Sequence, residues 1–214
     1  MAVISCFDKR LCSSTTVMAN MPAFTEACRL ARQNKLEDHI GIHLNLTSGT
    51  PLSTDIRGCQ RFCNEDGTFR SRRRRLMWLN EREKAALTNE MHHQVGRCRK
   101  HGLNLTHADS HHHIHEEWSI LSLVLCVCRE KSIPYVRLAR NCSSCDVPLM
   151  NRLYRHAINQ RIRSAHLAGT RYFGSLSDYI HLSSKVGTRK AKVKAESMGY
   201  VSRFTPDVSR CPVP

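Results

Sequence analysis

The sequence predicts an α/β fold whose βα units build a parallel sheet or barrel. Three observations point there. Short segments rich in β-branched residues alternate with longer helical ones. The helical ones carry start and stop signals of their own. The chain's strongest chemical signal, a histidine cluster, falls where a strand runs into a loop, the place where parallel α/β proteins build their sites. With 214 residues the chain is long enough for one such domain with a sizeable core and short for two.

The elements follow in order. Residues 3–7 look like the end of a helix. Residues 11–18 (LCSSTTVM) read as a strand. Pro22 opens a helix that runs to about Asn34, with Asn20 as its cap; Ala23, Ala27, Leu30 and Ala31 share one face. Residues 39–46 (HIGIHLNL) alternate as a second strand. Residues 47–68 are loop-like, with Gly49, Pro51, Gly58 and the turn pair Asp66–Gly67. Asn80 caps a long helix from Glu81 to about Lys100, stopped by Gly102. Residues 105–110 form a third strand, 118–130 an apolar helix, 134–138 a fourth strand and 147–167 a basic helix ended by Gly169.

From residue 184 onward apolar periodicity disappears and Lys, Gly, Ser and Pro dominate. Residues 1–183 therefore read as the folded domain and 184–214 as a basic, poorly ordered tail.

Composition narrows the function classes. The longest apolar-rich stretch, residues 120–128, is too short to span a bilayer. Asp8, Lys9 and Arg10 arrive before any signal-peptide core could form, so a cytoplasmic location is expected. The 11 cysteines are odd in number and irregularly spaced, and several sit in apparent helices; they read as reduced thiols. Cys142 and Cys145 make a CxxC without a second pair to complete a zinc site. A net charge of +15 keeps a basic nucleic-acid-binding protein in view as a rival reading. Its clusters are Arg70 with Arg72 to Arg75, and the tail. Against it stands the absence of any zinc-finger, helix-turn-helix or aromatic-studded pattern.

The histidine cluster spans residues 107–115, HADSHHHIH, with five of the chain's 13 histidines in nine positions. Neutral imidazole is a good ligand for zinc and similar ions, and a nearby carboxylate completes or orients such a set. Alternation along a strand lets His107, Asp109 and His111 face one way. The plainer alternative is a surface tract that picks up metal adventitiously. His43, in GIHLNLT, stands inside an alternating strand. By itself it reads as a core residue, and it gains weight because a metal site needs a partner from another strand.

Taken together, GIHLNLTSGTPLS (41–53) and THADSHHHIH (106–115) resemble the two signature motifs of the YdjC-like carbohydrate deacetylases. Flanking segments add to the likeness: SSTTVMANMPAFTEACRLA (13–31), NEDGTF (64–69), IPYVRLAR (133–140) and NQRIRSAHLAGTRYFGSLSDY (159–179). It runs from about residue 2 to residue 180. The resemblance implies a (β/α)-barrel-like fold. It implies removal of N-acetyl groups from amino sugars or chitooligosaccharides, and a divalent ion (Mg2+ or Zn2+) held by one aspartate and two histidines. Carried over by position, the histidines are His43 and His111, with Asp109 behind them. The expected partner is an acetylated amino-sugar or oligosaccharide substrate, with a homodimer as one assembly.

Two family features have no match. One is a first strand ending in an Ala-Asp-Asp-Phe-Gly-like motif, which supplies the third ligand and the base. The other is a late His-Pro motif, which supplies the acid. Asp8 aligns with neither carboxylate. The barrel is therefore expected to be incomplete at its first and last strands, no catalytic base or acid is assigned, and turnover is expected to be impaired. A sugar-binding remnant without turnover is the remaining alternative.

Overall fold

In the computed structural model, which describes residues 2–71, 76–141, 148–171 and 173–174, three strands lie side by side and parallel. They are β1 (Thr15–Val17), β2 (Ile40–Leu44) and β3 (Ala108–Ser110), in that spatial order. Ile42 pairs with Ala108 and His43 with Asp109. The row continues past β3 by single parallel bridges. Val136 pairs with Ala108 on one side and Ala168 on the other. Tyr135 O accepts from Ala108 N at 2.8 Å, and Val136 N donates to Leu167 O at 2.7 Å. The fourth strand expected at 134–138 is thus reduced to one bridging residue. The result is an α/β row of parallel pairings, and closure into a barrel is not among the described residues.

The helices occupy the crossovers. After α1 (Ala2–Asp8) come α2 (Phe24–Gln33) between β1 and β2, α3 (Glu81–Lys100) between β2 and β3, and α4 (Trp118–Glu130) between β3 and Val136. Then α5 (Leu149–Ser164) lies between Val136 and Ala168. Asn80 caps α3 as its sequence predicts. Its side chain accepts from Glu83 N, and Glu83 reaches back to Asn80 N. Arg97, Arg99 and Lys100 sit in the last turn, where they favour the negative end of the helix dipole. Gly102 follows with φ +82.

One cap differs from expectation. Asn20 does not cap α2, whose N-cap is Ala23. The Asn20 amide instead donates to Ser48 O and Thr50 O at 2.9 and 3.2 Å, carbonyls that the loop after β2 brings to it.

The core lies between the sheet and α2, α3 and α4. Ile42, Leu44, Leu87, Met91, Ile120 and Leu121 are buried; each such side chain contributes about 1.5–3 kcal/mol of transfer free energy. Five cysteines, Cys28, Cys59, Cys63, Cys98 and Cys128, are buried with them, and the eight described cysteines are free thiols. Burial pushes the Cys98 and Cys128 thiols up to about 12, which leaves them unreactive. The Arg72 to Arg75 run, the Cys142–Cys145 pair and the tail from 184 lie outside the described residues. No helix among the described residues is long and apolar enough to cross a membrane.

Gly41 shows why β2 and β3 meet so closely. A Cβ there would lie 2.5 Å from His107 O and 2.7 Å from two atoms of its ring. Replacing it crowds backbone as well as side chain, so Gly41→Ala is predicted to destabilise the domain by about 1–3 kcal/mol. A urea unfolding midpoint equal to that of the wild type would show that the strands part without cost.

Candidate metal centre

The site begins with the β2–β3 register. Because His43 pairs with Asp109, their side chains emerge on one face at neighbouring positions. His43 Nδ1 donates to Asp109 Oδ1 at 2.6 Å, with Thr16 Oγ1 3.4 Å from the same nitrogen. The bond fixes the ring and, in the neutral tautomer, leaves the Nε2 lone pair available to a ligand. Asp109 Oδ2 faces Arg137 Nη1 at 3.3 Å. Burial alone would raise the Asp109 carboxyl; the bond and charge of His43 and the charge of Arg137 outweigh it and hold the group below the usual carboxylate range. The Asp109 and His43 side chains are 12% and 22% exposed, so the bond is screened little by water.

His111 begins a six-residue 3-10 stretch, His111–Glu116, immediately after β3. Its ring centre lies 5.7 Å from that of His43, at 62° between planes. Two imidazoles that share one ion at about 2.0–2.1 Å have ring centres about 5–6 Å apart, so the spacing suits a shared cation. Burial, with His112 and His43 nearby, pulls the His111 imidazole down from its ordinary value and favours the neutral, ligating form. Among the described residues, no group of three or more His, Cys, Asp or Glu is placed to hold a metal ion.

The turn that aims His111 is unusual. His112 and His113 both have left-handed backbone, φ +51 and +57. Side chains avoid that region at a cost of roughly 1–2 kcal/mol each. Several bonds fasten the reversal. Ser110 Oγ accepts from His115 N at 3.0 Å and donates to His115 Nδ1 at 2.5 Å. His115 Nε2 donates to Arg137 O at 3.1 Å. His112 Nδ1 meets Thr47 Oγ1 at 3.0 Å, and Arg137 Nη2 donates to His113 Nδ1 at 2.7 Å.

The third histidine of the alternating set does not join. His107 shares a face with Asp109 but lies against Gly41, two residues back along the strands. It is within 2.9 Å of Thr106 Oγ1, and burial lowers its pKa.

A second set of residues escaped the sequence reading. Glu90 is fully buried, and its carboxylate accepts from Leu52 N, Ser53 N and Gln94 Nε2 at 3.1, 2.6 and 2.8 Å. Gln94 in turn exchanges hydrogen bonds with the backbone of Asn45. Asn45 accepts from Thr47 N and Ser48 N and donates to Asn20. This buried network ties α3 to the loop after β2, and so sets Thr47 under His112. The signal was present. Glu90 and Gln94 fall on the same helical face as Leu87, Met91, Val95 and Cys98, where a charged residue needs a buried partner. Arg137 was also missed; it stands in the apolar run VRLA between buried Val136 and Leu138.

A parallel α/β sheet with a carboxylate-held histidine at the carboxyl end of one strand, facing another histidine, defines the class as a candidate metal-site α/β protein. Comparison with known proteins makes this specific: residues 1–203 match the family model described as YdjC-like protein, and the chain belongs to that family. It is 34% identical over 134 residues to a carbohydrate deacetylase of Brevibacillus brevis, covering 63% of this chain and 51% of that protein. It is 35% identical over 140 residues to one of Geobacillus stearothermophilus, covering 64% and 54%. The chain thus spans about half the length of the curated relatives it matches. In fold it is similar to a crystal structure from Enterococcus faecalis V583, named as a candidate cellobiose-phosphate cleavage protein. The TM-score is 0.59 and the identity 21%, over 86% of this chain and 68% of that one.

His115 yields a pH prediction. It is fully buried, and burial pushes its imidazole down to about 4 from 6.5. Below pH about 6.5 the unfolded chain takes up a proton that the native chain lacks. Stability is therefore lost as pH falls from about 6.5 to about 4, by up to about 3 kcal/mol. In His115→Asn the dependence of urea stability on pH across that window should lose about one proton's worth of slope. An unchanged slope would mean that His115 is not held neutral.

Proposed function

We propose that this chain is a metal-dependent hydrolase that removes N-acetyl groups from amino sugars or chitooligosaccharides, with His43 and His111 as ligands of a divalent ion. The observation that carries the reading is the Asp109–His43 hydrogen bond with the His111 ring 5.7 Å away. A histidine whose far nitrogen is gripped by a carboxylate is the usual form of a metal-ligating imidazole. The relatives named carbohydrate deacetylases support the substrate class.

The donor set favours zinc over magnesium, since two imidazoles suit the former and the latter prefers oxygen ligands. A divalent ion bound there would polarise the acetyl carbonyl and lower the pKa of a bound water. The chain's own residues do the positioning. Asp109 sets the tautomer and aim of His43, Arg137 holds Asp109, and Thr47 and Ser110 hold the turn that presents His111.

We further propose that turnover is slow. Among the described residues no third His, Cys, Asp or Glu completes the pair, and two imidazoles alone hold an ion loosely; where a positioned general base is lacking, about 10²- to 10⁴-fold in rate is forgone.

Zinc titration by calorimetry tests the ligand set apart from activity. The wild type should bind one ion, His43→Ala and His111→Ala should lose that binding, and Asp109→Asn should weaken it by about 10- to 100-fold. Acetate release from a short chitooligosaccharide in the presence of zinc should then be measurable in the wild type and absent in both alanine variants. Zinc binding that survives both alanine replacements would remove these histidines from the site. Turnover as fast as that of the full-length relatives would overturn the expectation of a slow enzyme.

A further inference from the structure

Exposed apolar bulk gathers on one rim of the molecule. Of the eight large hydrophobic side chains exposed among the described residues, Met77, Trp78, Trp118, Leu149, Met150 and Leu153 stand within four residues of the starts of α3, α4 and α5. Crossover helices begin where parallel strands end, so this is also the rim that carries His43 and His111. Both tryptophans of the chain belong to the set, although tryptophan is on average a well-buried residue.

Each tryptophan ring is propped on one face by an arginine that is itself tied down. Arg161 lies 4.3 Å over Trp118 and donates to Trp118 O at 3.1 Å and to Ser122 Oγ at 2.6 Å. Arg61 lies 4.9 Å over Trp78, donates to Trp78 O at 3.2 Å and pairs with Glu83 at 2.8 Å. Trp118 and Trp78 nevertheless stay 40% and 68% exposed. The backbone around them is braced as well. Trp118 N donates to Tyr154 Oη at 3.0 Å, which donates in turn to Glu116 O at 2.7 Å. Leu76 N donates to Glu117 Oε2, and Ser119 Oγ donates to Leu76 O. The residues on both sides of Trp118 thus hold Leu76, and Trp78 follows two residues later, at most about 7 Å along the chain. Trp118 is also joined to the histidine site. It stands two residues after the turn that presents His111, and Glu116, the last residue of that turn, faces His113 Nδ1 at 3.2 Å.

A tryptophan held at a fixed angle in water keeps apolar area exposed until a flat surface stacks on it. We propose that Trp118 and Trp78 form a stacking platform for the sugar units of an N-acetylated oligosaccharide that extend beyond the acetyl group being removed. The inference rests on the deacetylase reading of the histidine site. A pyranose ring has an apolar C–H face and a rim of hydroxyls, which suits an aromatic surface beside water. The arginines set a preference among sugars. A guanidinium already occupies one face of each ring and repels a second cation, so the platform favours the neutral acetylated unit over the ammonium-bearing product. The same charges oppose a second copy of the chain as the occupant. Across the two-fold axis of a dimer the patch would meet itself, and α5 brings four arginines and no acid to it.

Titration of the full chain with chitohexaose, read by tryptophan fluorescence and by calorimetry without added zinc, tests the platform apart from the metal. Chitohexaose should bind saturably and about tenfold more tightly than chitobiose, because a longer chain engages the platform as well as the site. Trp118→Ala and Trp78→Ala should each weaken chitohexaose by about tenfold. The urea midpoint of each variant separates loss of the ring from loss of the fold, and Trp78→Ala, at the more exposed ring, keeps the test valid if replacing Trp118 unfolds the chain. The fully deacetylated hexamer should bind about tenfold more weakly than chitohexaose. His43→Ala and His111→Ala should lose zinc and keep chitohexaose, so the two readings fail separately: zinc binding without sugar binding sinks the platform, and sugar binding without zinc binding sinks the metal site. Four results would overturn the platform: no saturable binding of chitohexaose, an affinity that ignores both tryptophan replacements, equal affinity for the deacetylated hexamer, or a dimer in sedimentation that Trp118→Ala dissociates, which makes a second copy the occupant.

Discussion

Asp109 is a buried carboxylate that the fold sustains because charge and hydrogen bonds meet it from two strands. The β2–β3 register sets His43 beside it, and the chain around the Val136 bridge sets Arg137 on its other oxygen. Desolvating a carboxylate costs several kcal/mol, and compensation of this kind is what makes the position tenable. Arg137 is itself half-buried, its guanidinium 4.4 Å over the Phe173 ring. Burial pulls its pKa down while Asp109 and Glu116 oppose that pull. Each partner makes the other's burial affordable, so the geometry of His43 depends on a residue nearly thirty positions after Asp109.

The loop after β2 depends on a separate buried charge. Glu90 contributes nothing to the histidine pair directly, yet three donors converge on it, and through Gln94 and Asn45 it fixes Thr47. Thr47 meets His112, and Arg137 meets His113. The two networks therefore close on the same left-handed turn from opposite sides. Backbone strain of this kind persists where surrounding contacts over-determine it, and it gathers at sites with a task. Here the task is geometric: reversing the chain immediately after Ser110 sets the His111 ring over His43.

The fold was legible where local signals are strong. Asn80 and Glu83 spell a capping box, and α3 begins where they place it; α4 has its expected bounds, and the three paired strands lie inside the segments read as strands. Strand lengths were overestimated because β-branched composition does not say how many residues find ladder partners. Residues 134–138 have the composition of a strand and pair only at Val136. Asn20 resembles a cap in sequence, but two distant carbonyls compete for its amide and win. At the site, alternation along the strand picked out His107, Asp109 and His111, and the resemblance to the YdjC-like family singled out His43 and His111. They could not name Arg137, Thr47 or Glu90, whose roles arise from contacts across 28 to 65 residues of chain or from one helical face meeting a loop.

The histidine pair and Arg140 share a placement. His43 sits one residue before the end of β2, His111 one residue after β3, and Arg140 four residues beyond the Val136 bridge. All three lie toward the carboxyl ends of parallel strands, where each crossover begins and the backbone is free to vary without breaking the ladder. The contacts between them run without a gap: Arg140 adjoins Asn141, Asn141 bonds Phe173, Phe173 lies under Arg137, and Arg137 holds Asp109 against His43. Parallel pairing supplies the common platform; the polar residues that the apolar pattern leaves over at its rim decide what it holds.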